Sequence, residues 1–243
     1  MGPVSQEEAK KIISDLKRIS KKFKSKIIIC PPFTFLHLFK NFGNLILGAQ
    51  DLFYEDPQKG SRPFTGEISA SILKDFGVKY VIIGHSERRA MGESDETVNK
   101  KIKTALMSGL TPVVCVGEKE RDQDGKFFEV LGDQIRFSLS KIKTNDLPKL
   151  IIAYEPVWAI GKSDKENIEG DNLHQMVIFI RKILSEISNK KIAFQVPIIY
   201  GGSVSSDDIP DLVSNGQIDG ILPGRASLDP KEMKEILEAL DRL

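Results

Sequence analysis

The stretch Leu150-Ile151-Ile152-Ala153-Tyr154-Glu155-Pro156-Val157-Trp158-Ala159-Ile160-Gly161-Lys162 decides how the rest of the chain is read. Its first five residues make an apolar run with the length and content of a buried strand. Glu155 stands where that strand ends, and Pro156 prevents the strand from continuing. Val157, Trp158 and Ile160 then form a compact apolar segment that stops at Gly161. A carboxylate on a rigid stem with such a flap behind it suits water exclusion and raised basicity. The plainer reading is a strand end and an ordinary loop whose Trp packs into the core.

The same pattern recurs on both sides of this stretch. Apolar runs at Lys26–Cys30, Leu45–Ala49, Lys79–Gly84, Thr111–Val116, Pro197–Tyr200 and Ile218–Leu222 each stop at Pro, Gly or a polar residue. Between them lie helical patterns at Ser5–Ile19, Thr65–Phe76, Asp95–Met107, Lys126–Ile142, Asn172–Ile187, Ile209–Val213 and Pro230–Leu240. Ser5 and Glu8 form a capping box for the first helix. This alternation, with no linker or composition shift, predicts a single α/β domain over residues 1–243 with seven strands in a parallel sheet. Ligand sites of such folds lie at the carboxyl ends of strands. Gln50, His85, Glu118, Glu155, Ser203 and Arg225 are therefore expected on one rim.

The 243 residues are 40% hydrophobic and 28% charged, with a net charge of +1, which is ordinary globular composition. No charge excess points to nucleic acid or an anionic membrane as a partner. No run has the length of a membrane span, and the N-terminus has no apolar signal core, so a cytoplasmic protein is expected. Cys30 and Cys115 both end apolar runs and read as reduced core residues rather than a disulfide. No metal-ligand cluster and no nucleotide motif occurs, so neither metal nor cofactor is expected.

Five segments, in this order along the chain, resemble the triosephosphate isomerase family. They are Phe64-Thr65-Gly66-Glu67-Ile68-Ser69, Ile83-Gly84-His85-Ser86-Glu87-Arg88-Arg89, Cys115-Val116-Gly117-Glu118, Ala153-Tyr154-Glu155-Pro156-Val157-Trp158-Ala159-Ile160-Gly161 and Tyr200-Gly201-Gly202-Ser203-Val204. The resemblance runs from about Gly2 to the last helix. It implies a (β/α)8 barrel that interconverts dihydroxyacetone phosphate and glyceraldehyde 3-phosphate, a step of glycolysis and gluconeogenesis. It implies Glu155 as the base and His85 as the electrophile at the substrate oxygens. It further implies a phosphate grip built from Gly161, from Gly201, Gly202 and Ser203, and from Gly224 and Arg225. Backbone N–H groups free of Cβ crowding suit an anion at such positions. Arg225 stands where the family pattern has a second glycine.

His85 precedes Ser86-Glu87-Arg88-Arg89, which reads as a helical turn, and a helix N-terminus disfavours imidazolium. The neutral imidazole of this enzyme is itself a standard worked example of pKa tuning. The plainer reading of His85 is a hydrogen-bonded core histidine, and His37 and His174 keep that reading. Glu87 and Glu118 are weaker candidates, since either can be an ion-pair partner at the rim.

The resemblance also sets out two departures. The family's opening strand ends in an Asn and a catalytic Lys, which fall before residue 1 here, and Met1–Val4 is too short for a strand. Lys10 and Lys11 belong to the following helix and do not replace that lysine. A barrel lacking its first strand is therefore expected, with impaired activity, because one lost electrostatic contact typically costs on the order of 10²–10³ in rate. The loop from Gln50 to Thr65 is longer than usual; in the family it reaches into a partner subunit, so a homodimer or higher homo-oligomer is implied. Unpaired strand edges around Ile28 and Ile221 favour association as well. A non-catalytic homologue, a truncated chain of an ordinary enzyme, and another sugar-phosphate isomerase on the same fold remain alternatives.

Overall fold

In the computed structural model, residues 2–39, 43–57, 64–159 and 168–243 are described. The chain enters on helix α1 (Gln6–Ser20), capped by Ser5, whose side chain accepts the Glu8 N–H at 3.1 Å. The reciprocal half of the predicted capping box is shifted by one residue: the Glu8 carboxylate accepts the N–H of Val4, not of Ser5. Strands β1 (Ile27–Ile29), β2 (Leu45–Ala49), β3 (Tyr80–Ile83), β4 (Thr111–Val116), β5 (Ile151–Tyr154), β6 (Ile198–Tyr200) and β7 (Gly220–Ile221) follow in turn. They pair in parallel in sequence order, so every strand neighbours the next one along the chain. The helices between them are α2 (Ala70–Asp75), α3 (Ser86–Ala90), α4 (Asp95–Met107), α5 (Lys126–Ser138), α6 (Gly170–Ile187), α7 (Lys190–Ala193), α8 (Ile209–Ser214) and α9 (Pro230–Leu240).

Side chains alternate between the two faces of the sheet because a strand has period two. Ile83, Val114, Val116, Ile152, Tyr154, Ile198 and Tyr200 join the main core. That core also takes in Val98 and Ile102 of α4, Leu131 and Ile135 of α5, and Leu173, Ile180 and Leu184 of α6. The residues of opposite parity, Tyr80, Ile82, Val113, Cys115, Ala153 and Ile199, gather in a separate cluster. Side chains from four successive strands meet there because the sheet curls, with its helices outside, as in a partial barrel. A third cluster ties α1 (Leu16, Ile19) to α9 (Met233, Leu237) over Ile27 and Leu45.

Among the described residues, β1 pairs only with β2 and β7 only with β6. The seven parallel strands expected from the sequence are thus present, and among the described residues the unpaired edges of β1 and β7 line a common gap. A cavity of about 1670 Å3 runs along that gap, from His85 and Glu155 at one end to Lys26 and Asp219 at the other. No helix among the described residues is long and apolar enough to cross a membrane. Cys30 and Cys115 are free, and burial raises both thiols, that of Cys30 up to about 12.

Local boundaries differ from the sequence reading in three places. Helix α2 begins at Ala70 rather than Thr65, because Phe64 (φ 43°) and Gly66 (φ 91°) are left-handed and Ser69 supplies the cap. Helix α5 stops at Ser138 rather than Ile142, and Lys141 (φ 59°) turns the chain away. Short helical pieces at Phe33–Leu38, Thr144–Lys149 and α7 lie where no helix is expected from periodicity. They are too short to establish a 3.6-residue repeat.

Candidate active site

Glu155 directly follows β5, and its parity turns it to the inside of the curl rather than toward the helices. Its own N–H continues the ladder by donating to Val116 O at 2.8 Å, which fixes the stem. His85 arrives from β3 by way of Gly84, whose φ of 72° breaks the strand parity. A Cβ at Gly84 would lie 3.0 Å from Val98 Cγ2 and 3.1 Å from Arg89 Nη2, so a side chain at this left-handed turn would be both crowded and strained. Arg89 Nε then holds the Gly84 carbonyl at 2.8 Å.

These two arms bring His85 Nε2 to 3.4 Å from Glu155 Oε1. His85 caps α3, and its Nδ1 accepts the backbone N–H of Glu87 at 3.2 Å. An Nδ1 that accepts carries a lone pair, so the proton of the neutral ring sits on Nε2. That proton faces Glu155 and the cavity. Glu155 Oε2 in turn accepts the Ser86 N–H at 3.1 Å. The carboxylate is only 3% exposed, and burial raises its pKa above the ordinary glutamate range. The His85 ring, the Ser86 N–H and the Cys115 thiol pull it back only in part. The result is a buried, basic carboxylate beside a ring nitrogen that can donate a hydrogen bond.

Two glycines make room for Glu155, one beside its side chain and one beside its backbone. A Cβ at Gly201 would lie 2.7 Å from Glu155 Cγ, and one at Gly117 would overlap the Glu155 carbonyl. Gly117, Ser86 and Cys115 were not singled out as site residues from sequence. Gly117 between a strand end and Glu118 is the one sequence signal that marks a close backbone approach.

The glycine turns after β6 and β7 line the same cavity as His85 and Glu155, with Gly201, Gly202, Ser203, Gly224 and Arg225 all at its wall. The N–H groups of Gly202, Gly224 and Arg225 donate to no backbone acceptor among the described residues. A Cβ built on Gly224 meets nothing within 4 Å, so the space above it is open. Gly161, also expected here, lies outside the described residues.

Glu118 takes the plainer of its two readings. It is 1% exposed and accepts from Tyr154 Oη at 2.8 Å, from Trp158 Nε1 at 2.8 Å and from Arg121 Nε at 3.4 Å. Its backbone carbonyl also accepts the Val157 N–H at 3.0 Å. It anchors the segment after Glu155 rather than facing the cavity. Trp158 is therefore tied to a buried carboxylate, with Arg121 stacked over its ring at 5.1 Å. Glu87 is exposed and approaches His85 Nδ1 at 3.9 Å. The hydrogen-bonded reading of His174 is corrected at one atom, since its buried Nδ1 has no partner among the described residues. No group of three or more His, Cys, Asp or Glu among the described residues can hold a metal ion.

Residues 4–240 match the family model described as triosephosphate isomerase. The chain belongs to the triosephosphate isomerase family. It is 42% identical over 239 residues to the triosephosphate isomerase of Dictyoglomus thermophilum, covering 96% of this chain and 93% of that protein. It is 40% identical to that of Thermoanaerobacter pseudethanolicus over 96% and 94% of the two chains. The triosephosphate isomerase of Moorella thermoacetica is 42% identical over 92% of this chain and 89% of its own length. Family membership agrees with what the five sequence segments imply, and the seven parallel strands agree with the apolar runs.

Proposed function

We propose that this chain interconverts dihydroxyacetone phosphate and D-glyceraldehyde 3-phosphate. Glu155 moves the proton between the two carbons, and the Nε2–H of His85 polarises the substrate oxygens. The phosphate is held by Gly201, Gly202, Ser203, Gly224 and Arg225, with Gly161 completing the grip. The observation that carries this reading is the 3.4 Å approach of His85 Nε2 to Glu155 Oε1 at the mouth of the cavity. A raised carboxylate pKa makes Glu155 a stronger base toward a carbon acid. A neutral donor with its proton aimed at the reacting oxygens stabilises the negative charge that develops on them.

The 243-residue chain is proposed to be a weak isomerase. Lys26 is the one lysine at the wall of the described cavity, and it precedes β1, at the end of the sheet away from His85. Among the described residues, negative charge growing on the substrate oxygens thus meets no ammonium there. That same observation favours a second reading, a non-catalytic homologue that keeps the phosphate grip. Measuring isomerisation of glyceraldehyde 3-phosphate separates the two, for this chain and for one with an Asn-x-Lys strand added before Met1. The proposal predicts slow turnover that the addition raises by a factor on the order of 10² or more. Near-normal turnover without the addition contradicts the impairment, and no turnover in either protein favours the second reading.

Residues 1–243 are read as one domain, which the unbroken order of the sheet supports. Homodimers or higher homo-oligomers are proposed from the two open strand edges. A clean monomer in sedimentation at micromolar concentration contradicts that. A cytoplasmic, cofactor-independent enzyme fits these assignments.

A further inference from the structure

The cavity wall carries more acid than base at the end where the proposed chemistry sits. Asp51, Glu87 and Glu155 line it beside the carboxyl ends of the strands, and Asp229 and Glu232 line it from the cap and first turn of α9. Two cations stand against them, Arg88 and Arg225. Arg88 is committed, since its Nε lies 3.0 Å from Asp51 Oδ2. Arg225 is exposed and pairs with no carboxylate among the described residues. It opens a helical turn, Arg225–Leu228, directly after the open space over Gly224. A phosphate monoester is close to doubly charged at pH 7. Placing it near Glu155 and Glu87 is repulsive unless a cation joins the backbone N–H groups of Gly202 and Gly224. Backbone donors supply direction, but they carry only partial charge.

We infer that the guanidinium of Arg225, as distinct from its backbone N–H, supplies the positive charge that recognises the substrate's phosphate, an inference that rests on the triose phosphate reading above. The side chain then sets specificity for phosphorylated over neutral trioses. Planar fork geometry lets one guanidinium hold two phosphate oxygens at once.

Glycerol 3-phosphate tests this without depending on turnover. Its Kd is measured by calorimetry for the 243-residue chain and for Arg225→Gln and Arg225→Lys, at low and high salt. All three proteins keep the backbone N–H at position 225, so the comparison isolates the side chain. Arg225→Gln is expected to weaken binding roughly ten- to hundred-fold, the usual scale for one charge-assisted contact, and to flatten the salt dependence. Arg225→Lys is expected to bind several-fold more tightly than Arg225→Gln. Thermal unfolding of both variants should match the parent, because the side chain is exposed and unpaired. A Kd for Arg225→Gln within two-fold of the parent overturns the inference while leaving the phosphate reading intact. Equal Kd values for the Lys and Gln variants overturn it too, since charge is then not what matters. If the parent chain shows no saturable binding, both this inference and the phosphate grip proposed above fall.

Discussion

Nε2 of His85 and Oε1 of Glu155 lie 3.4 Å apart, although the two residues leave strands that have β4 between them. The backbone sets this contact from both sides. Glu87 N–H orients the ring by bonding Nδ1, and Ser86 N–H holds the other carboxylate oxygen. One helical turn therefore positions both members of the pair.

Replacing the carboxylate separates chemistry from stability. Glu155→Gln is expected to abolish isomerisation and to raise the thermal midpoint at pH 7 by a few degrees. The sign follows from the raised pKa of Glu155. A carboxyl whose folded pKa exceeds its unfolded value stabilises the fold only while protonated. That contribution is present below the ordinary value of 4.5 and is lost as pH rises through the folded value. The stability advantage of Glu155→Gln should therefore shrink as pH is lowered through this window. Thermal scans across pH check this, and an unchanged or lowered midpoint at pH 7 contradicts it. The acid limb of the rate profile should likewise lie above 4.5.

Gly201→Ala tests how closely the carboxylate is held. The new methyl would lie 2.7 Å from Glu155 Cγ and must displace it. A displacement of about 1 Å at a reacting group can cost on the order of 10²-fold in rate. We expect kcat to fall on that scale with little loss of folding stability. Gly117→Ala should instead compromise folding, because its methyl overlaps backbone that cannot yield. Comparing soluble yield and kcat for the two variants checks this contrast.

Glu118 holds the segment that follows Glu155. Glu118→Ala removes the acceptor for Tyr154 Oη and Trp158 Nε1 and strips Arg121 of its partner. Buried donors left without partners are costly, so a loss of about 3 kcal/mol is expected in denaturant unfolding. Trp158 is the chain's single tryptophan, so its fluorescence reports the release directly. An unshifted emission spectrum would contradict the anchoring role.

Lys101 is 3% exposed, lies 2.6 Å from Asp51 Oδ1 and also contacts Glu93. Lys101→Met leaves the buried Glu93 without its cation and Asp51 with Arg88 alone, and is expected to lose roughly 3–5 kcal/mol. The double variant Lys101→Met with Glu93→Gln should recover part of that loss. A double variant no more stable than the single one would contradict the pairing.

Much of this fold was legible because parallel strands buried on both faces read as apolar runs. Each of the seven ends in Pro, Gly or a polar residue, and all seven occur as strands. Helix α4 matches its predicted span of Asp95–Met107 because Ser94 caps it and its apolar face is regular. Left-handed residues were not legible where they are not glycine, which is why Phe64 and Lys141 move the ends of α2 and α5. His85 and Glu155 could be paired from sequence because both follow strand ends. The groups that orient them could not, since the Ser86 and Glu87 donors are backbone atoms and leave no residue signature. Cys115 read as a core residue, and it is one, yet it also lies beside the Glu155 carboxylate.

The central claim is that Glu155 moves a proton on carbon with His85 beside it. Incubation of dihydroxyacetone phosphate with the chain in heavy water, followed by proton NMR, reads that step even where net turnover is slow. The account predicts deuterium entering at the reacting carbon above the buffer rate, and no such gain with Glu155→Gln. Equal incorporation by both proteins, or none above buffer by the parent chain, would contradict it.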